Sequence, residues 1–171
     1  TTTSAFYNLT FNGVAGAWSF SDAATVDNTF TITNGTVTAP SGTLTITSNY
    51  SNSGTFTHNS GTVTMNATAT GKTITAGGSS FYNLTFNGVG GGWTLQDAIT
   101  VSNVLTITNG TLNGGSVTLT LSGTTGTPFS NSGTFTASTG TVTYTGNNGS
   151  GNTTIAAVTY YNLTPNNSSE T

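Results

Sequence analysis

The chain has 171 residues and a formal net charge of −3, and only 3% of its residues are charged, against roughly 25% in typical soluble domains. It carries a single lysine and no arginine, which excludes the clustered cations that nucleic acids and anionic lipid surfaces attract. No apolar run approaches the roughly 20 residues of a membrane-spanning helix, and the absence of cysteine excludes disulfides.

The chain begins with short segments in which apolar and hydroxyl residues alternate. This period of two is typical of half-buried β-strands. Asn-Gly and Ser-Gly pairs between the segments indicate turns, because these residues readily adopt positive φ. The predicted strands of this part are NLTF (8–11), WSF (18–20), ATV (24–26), FTIT (30–33), TVT (36–38), TLTIT (43–47), TFTH (55–58), TVTM (62–65) and TIT (73–75).

The same pattern then starts again 75 residues later. The segment FYNLTFNG at 6–13 recurs letter for letter at 81–88, and Trp18 is matched by Trp93. A weaker third copy, YYNLTPNN, begins at Tyr160. Self-similarity at a fixed period indicates a repeat architecture. We therefore divide the chain into repeats at 6–80 and 81–159 and the start of a third at 160–171.

The nine strands of each repeat form three similar groups, which predicts an all-β fold. The predicted fold is a right-handed parallel β-solenoid, or β-helix. Each coil has three short strands and about 25 residues, and the chain forms six coils and the start of a seventh. The right-handed sense follows from the strong preference of parallel crossovers. Two small β-sandwiches in tandem are the alternative, but they give no reason for the shorter inner period. We expect Leu9 and its equivalents Leu84 and Leu163 to share one sheet.

The few ionisable residues predict no enzyme. Asp22 and Asp97 occupy equivalent positions, expected to lie three coils and therefore about 14 Å apart, whereas glycoside hydrolysis uses carboxyl groups about 5–9.5 Å apart. We expect both to stabilise turns, although a degenerate polysaccharide lyase stays a hypothesis. His58 and Lys72 are not repeated in the second copy. We therefore expect no catalytic residues, no cofactor and no metal site.

Outward threonines and asparagines offer two further kinds of surface. Threonines such as Thr10, Thr31, Thr85 and Thr106 predict hydroxyl ladders, which suit an alternative function in binding glycans or ice, although threonine is also simply a good strand residue. Asn-x-Ser/Thr triplets are frequent and make glycosylation an expectation if the source performs it. The candidate acceptors are Asn8, Asn34, Asn83, Asn109 and Asn152.

The terminal coils of a solenoid expose unpaired strand edges and an open core unless capping units cover them. We find no capping sequence at either end. This predicts an end-to-end interface with another copy of the chain, as in a head-to-tail homopolymer, or the continuation of a longer repeat chain. The expected interface residues are Phe6, Tyr7, Leu9, Phe11, Tyr160, Tyr161 and Leu163.

Runs such as LTITNGTL, SNSGTFTASTGTVTYTG and FYNLTFNG resemble the repeat regions of secreted bacterial and archaeal cell-surface proteins with right-handed β-helices, such as filamentous-haemagglutinin-like adhesins. The resemblance covers nearly the whole chain and is one of repeat style. It implies an extracellular or cell-surface location and a structural role as a fibre, filament or stalk segment. The chain lacks any adhesive or anchoring module that we can identify.

Overall fold

The computed structural model describes residues 4–124, 126–146 and 152–166. Regular structure in these ranges consists of β-strands alone, and every pairing between them is parallel. The strands are β1 (Ser4–Phe6), β2 (Leu9–Ser19), β3 (Ala24–Val26), β4 (Phe30–Thr38), β5 (Thr43–Ile46), β6 (Tyr50–Asn52), β7 (Thr55–Thr57), β8 (Thr62–Met65), β9 (Lys72–Thr75), β10 (Ser80–Leu95), β11 (Ile99–Asn113), β12 (Thr118–Leu121), β13 (Phe129–Asn131), β14 (Thr134–Thr136), β15 (Thr141–Tyr144) and β16 (Asn162–Pro165).

The strands wind into a parallel β-solenoid of about seven turns with about 21 residues per turn. Paired positions in neighbouring coils are 19 residues apart at Leu44 and Val63, and 24 apart at Leu105 and Phe129. The predicted fold class is confirmed, and the coil is shorter than the 25 residues expected. The longest strands continue around corners, which is why β2, β10 and β11 each contribute to more than one face of the solenoid.

The coils from β1 to β15 each place one strand on each of three faces, and β16 adds a further strand to the third face alone. The first face carries β1, β3, β5, β8, residues 83–86 and 104–107, and β13. The second face carries residues 9–11 and 30–32, β6, β9, residues 93–95 and 111–113, and β14. The third face carries residues 17–19 and 36–38, β7, residues 80–81 and 99–101, β12, β15 and β16.

Side chains along each strand point alternately inward and outward, and the inward ones fill a narrow core between the three faces. Leu44 and Ile46 are fully buried, while Thr45 between them faces outward and is half-buried. Aromatic rings stack from coil to coil in the core, with Tyr50 lying 5.5 Å from Phe30 and 5.2 Å from Phe81 between ring centroids. Each such side chain contributes about 1.5–3 kcal/mol when it is fully buried, so the core holds the coils together along the whole axis.

Two short strands of each repeat were missing from the prediction, and they change how the repeats stack. Residues 50–52 (YSN) and 80–81 (SF) lack a clear apolar alternation, yet both pair with neighbouring coils. A 75-residue repeat therefore holds eleven strand positions, or three and two-thirds coils, instead of nine.

The repeats consequently rotate by one face from copy to copy. Leu9 lies on the second face, its equivalent Leu84 on the first, and Leu163 on the third. The expectation that these residues share a sheet is wrong, because a non-integral number of coils separates them. Successive copies of one sequence thus occupy all three sides of the solenoid.

The turn predictions are confirmed in part. Gly35 and Gly110 adopt positive φ values of 85° and 83° after an asparagine, as expected. At the Asn12-Gly13 turn the positive φ lies two residues later instead, at Ala15 with φ 59°, and its equivalent Gly90 has φ 78°. The segment between the first two strands is therefore a wide corner, and the asparagine-glycine pair only begins it.

Tyr50 generates a test of core energetics. Its hydroxyl is buried without a hydrogen-bond partner among the described residues, and burial, followed by the charge of Asp97, raises its pKa. An unpartnered buried hydroxyl costs about 1–3 kcal/mol. We expect Tyr50→Phe to raise the free energy of unfolding by about 1 kcal/mol, measured by urea unfolding followed by circular dichroism. The second copy already has Phe129 at this position.

Tyr144 provides the matched control. Its hydroxyl bonds to the Tyr160 hydroxyl at 2.9 Å and accepts from the Ala156 amide at 3.2 Å. Tyr144→Phe should lower the free energy of unfolding by about 1 kcal/mol. Equal effects of the two substitutions would contradict the assignment of Tyr50 as the unsatisfied group.

Candidate functional site

The N-terminal end of the solenoid leaves its core partly open. Strands β1 and β2 pair only with the following coil among the described strands. Apolar residues of this first coil are half-buried, whereas the matching residues of the second copy, which lie beneath a preceding coil, are buried. The pairs are Phe6 with Phe81, Leu9 with Leu84, Phe11 with Phe86, Trp18 with Trp93 and Phe20 with Leu95.

An aromatic cluster forms the exposed surface of that end. The ring of Phe11 lies 5.2 Å from Trp18, 6.1 Å from Phe20 and 5.8 Å from Phe30 between centroids. Tyr7 stands beside it and is 71% exposed. The sequence predicts one half of an interface at Phe6, Tyr7, Leu9 and Phe11, and the fold brings these residues together in the first coil.

The C-terminal end is organised differently. Tyr160 is half-buried, and its hydroxyl donates to the carbonyl oxygen of Ala156 at 2.9 Å and bonds to Tyr144 at the same distance. Burial and these contacts with Tyr144 raise the pKa of Tyr160 well above its ordinary value. Tyr161 is 64% exposed and Leu163 is 37% exposed. The sequence did not reveal that Tyr160 closes part of the core, since its partners come from another coil.

The two equivalent aspartates lie at different corners. Asp97 follows residues 93–95 on the second face, whereas Asp22 precedes β3 on the first. The expected alignment of both on one side is wrong, because the repeats rotate. Asp97 accepts hydrogen bonds from the backbone amides of Ala76 at 2.7 Å and Gly77 at 2.6 Å. It stabilises the turn of the preceding coil, while Asp22 only accepts the Ser21 hydroxyl at 3.1 Å.

The other ionisable residues have separate surroundings. The Nδ1 atom of His58 accepts the amide of Ser60 at 3.1 Å, and its ring lies 5.5 Å from Tyr82. Lys72 begins β9 and lines a polar cleft with Asp27. Across the described ranges, no three histidine, cysteine, aspartate or glutamate side chains are grouped so that they could hold a metal ion.

Several candidate glycosylation sites are already engaged in side-chain ladders between coils. The Nδ2 atom of Asn34 donates to Asn12 and that of Asn109 donates to Asn87, each at 2.8 Å. Asn83 donates to Thr62 at 3.3 Å. Asn8 and Asn152 are exposed. Glycosylation stays a prediction, and these geometries favour Asn8 and Asn152 because sugar attachment requires the amide nitrogen.

A continuous threonine column is present, but of the four ladder residues named from the sequence it contains only Thr85 and Thr106. Thr10 and Thr31 lie on the second face, whereas Thr85 and Thr106 lie on the first. The column on the first face joins outward residues of both repeats, because the rotation brings them into line. Its members are Thr25, Thr45, Thr64, Thr85 and Thr106, flanked by Ala5 and Ser130.

The described part of the chain contains no helix long and apolar enough to cross a membrane. Comparison with protein-family models, with curated proteins and with solved structures finds no match to this chain.

Asp97 generates a second test. Hydrogen bonds to a charged acceptor contribute about 1.5–3 kcal/mol each, and partial exposure reduces this. We expect Asp97→Ala to lower the free energy of unfolding by about 2 kcal/mol. Asp22→Ala is the matched control and should change it by less than about 0.5 kcal/mol. Urea unfolding of both variants makes the comparison, and similar losses would show that the inter-coil contact is unimportant.

Proposed function

We propose that the chain is a non-enzymatic structural protein, a fibre subunit or stalk segment at the cell surface or outside the cell, which stacks end to end through its terminal coils. The observation that carries this proposal is the half-buried aromatic cluster of the first coil. The same sequence in the second copy is buried only because another coil covers it. A coil of the same kind therefore fits this end.

The strand edges favour a second copy as the occupant. At the first coil, β1 and β2 present backbone groups without a preceding strand among those described, and at the other end β16 pairs only with β15. Unpaired edges of this kind are templates for further strands. From β1 to β15 the strands occupy the first, second and third faces in turn along the chain. Because β16 lies on the third face and β1 on the first, a second copy placed after β16 continues this order without turning about the solenoid axis. Contacts of this head-to-tail type build open filaments.

The chemistry of the surface supports the extracellular and structural parts of the proposal. The surface is uncharged and rich in threonine and asparagine, and its repeat style resembles the β-helical regions of adhesins and surface fibres. Asp22 and Asp97 lie at separate corners, and the carboxylate of Asp97 is occupied by two backbone amides. The carboxylate of Asp97 serves the scaffold, which fits a role without catalysis.

Leu9 and Thr10 allow a matched test of end-to-end stacking. Leu9 points into the open core and is half-buried, while its neighbour Thr10 faces outward and is exposed. We expect the 171-residue chain to form filaments with an axial repeat of roughly 38 Å, because the third face holds eight strands from residues 17–19 to β16 and coils are ~4.8 Å apart. Leu9→Lys should weaken association at least about tenfold, the equivalent of ~1.4 kcal/mol, because it places a charge in the joint. Thr10→Lys should leave association unchanged.

Analytical ultracentrifugation and electron microscopy measure these outcomes, with circular dichroism to verify that each variant is folded. A parent chain that stays monomeric at high concentration would contradict the polymer. Equal weakening by Leu9→Lys and Thr10→Lys would place the contact on the outer surface instead of the end.

The threonine column on the first face favours a second candidate, ice binding. Five threonines present hydroxyl and methyl groups at the regular strand spacing of about 4.8 Å, and a periodic array suits a periodic ligand. Under this candidate, Thr64→Lys in the middle of the column abolishes inhibition of ice recrystallisation. Thr57→Lys on the third face serves as the control and retains inhibition. A parent chain without inhibition or thermal hysteresis removes the candidate.

A further inference from the structure

The corners between the first and second faces differ in length along the solenoid. Three residues connect β3 to β4 and likewise β5 to β6, whereas six residues, 66–71, connect β8 to β9. The next coil also uses a six-residue corner, 87–92. The two long corners lie against each other, and a Cβ atom at Gly88 would collide with the carbonyl oxygen of Ala67. Together they form a ledge that projects from an otherwise even edge.

A cleft of about 500 Å³ lies on the N-terminal side of this ledge. It spans three coils, since one wall comes from the corner after β3, the floor from the corner after β5, and the other wall from the ledge and the start of β9. Its volume falls within the range of small-molecule sites, about 300–1,000 Å³. The side chains that offer polar groups to a ligand in the cleft include those of Asp27, Asn28, Ser48, Asn66, Thr68 and Lys72.

The cleft concentrates charge in a chain that has almost none. Two of the five charged residues of the whole sequence, Asp27 and Lys72, line it. Lys72 is half-buried, and its ammonium group has no hydrogen-bond or ion-pair partner among the described residues. The ammonium group therefore has no competing partner within the described part of the chain. The group is therefore positioned to pair with an anion that enters the cleft.

The scaffold does not require Asp27 or Ser48. In the second copy Ser102 stands where the first has Asp27, and Gly123 stands where the first has Ser48. The strands around those positions keep the same pairing pattern without the charge. Since the second copy keeps the same strand pairing with Ser102 and Gly123 at these positions, stability of the coils does not explain the side chains of Asp27 and Ser48.

We propose that this corner cleft binds an acidic sugar, with Lys72 pairing with the sugar's carboxylate. The carboxylate of Asp27 accepts hydrogen bonds from sugar hydroxyls, and the amides of Asn28 and Asn66 both donate and accept. The hydroxyls of Ser48 and Thr68 add further partners. No aromatic side chain from the described residues lines the cleft, so a neutral sugar gains no stacking from them and the charge pair determines selectivity. No lining residue belongs to the first coil or to β16, so the site does not depend on end-to-end stacking.

Binding to the intact 171-residue chain tests the proposal by NMR titration at low salt, with glucuronate, glucose and acetate as probes. We expect glucuronate to bind saturably, and glucose and acetate to bind at least about tenfold more weakly, since a charge-assisted hydrogen bond is worth about 1.5–3 kcal/mol. Shifts should centre on Lys72, Asn28 and Asn66. Glucuronate binding no tighter than acetate binding, or no saturation at all, would overturn the proposal.

Three variants separate the site from a general charge effect. Lys72→Gln should weaken glucuronate binding at least about tenfold, and Lys72→Arg should largely restore it. Thr57→Glu changes the net charge by the same amount on the distant third face, where Thr57 is exposed, and should leave binding unchanged. Equal losses in Lys72→Gln and Thr57→Glu would show that net charge alone governs binding, which overturns the site. Filament formation is unaffected in each case, so this proposal and the stacking proposal fail independently.

Discussion

The parallel backbone ladder between successive coils is the constraint on which the rest of this structure depends. It places each residue directly beside the residue one coil further along, at a spacing of about 4.8 Å. Side chains therefore stack on side chains in the same column. Phe30 lies nearly parallel to Tyr50, with an angle of 10° between the rings, and Asn34 donates to Asn12 in the neighbouring coil. Both contacts follow from the ladder, because it places the two side chains of each pair at adjoining positions of neighbouring coils.

The same constraint gives the repeat its rotation. Coils of about 21 residues do not divide a 75-residue repeat evenly, and eleven strand positions shift each copy by one face. This shift brings Thr64 of the first repeat into register with Thr85 of the second, so that two separate threonine series join in one column. It also moves Asp22 and Asp97 to different corners. Equivalent residues of successive repeats therefore lie on different faces around the solenoid axis.

At each end of the solenoid the terminal coil has a neighbouring coil on one side only, so part of its core stays exposed. The first coil keeps Phe11 and Trp18 half-buried, although the same residues are buried in the second copy. At the other end Tyr160 bonds to Tyr144 and covers part of the core. The corners have more freedom than the strands, since only they can change length without disturbing the ladder. The ledge at 66–71 and its charged cleft lie where that freedom exists, which is typical of loops that carry function.

The sequence alone determined the class of fold, because strict alternation such as that of Leu44, Thr45 and Ile46 defines which side chains face the core. It also determined the two strong turns at Gly35 and Gly110, which depend on local φ. It did not determine the count of strands, since Tyr50–Asn52 forms a strand through pairing with its neighbours and not through its own pattern. The face of each residue, the partners of Asp97 and the placement of Asp27 and Lys72 around one cleft were decided only by the tertiary structure. These features depend on the number of residues in each coil. That number is set by the lengths of all the corners together, and no single corner determines it.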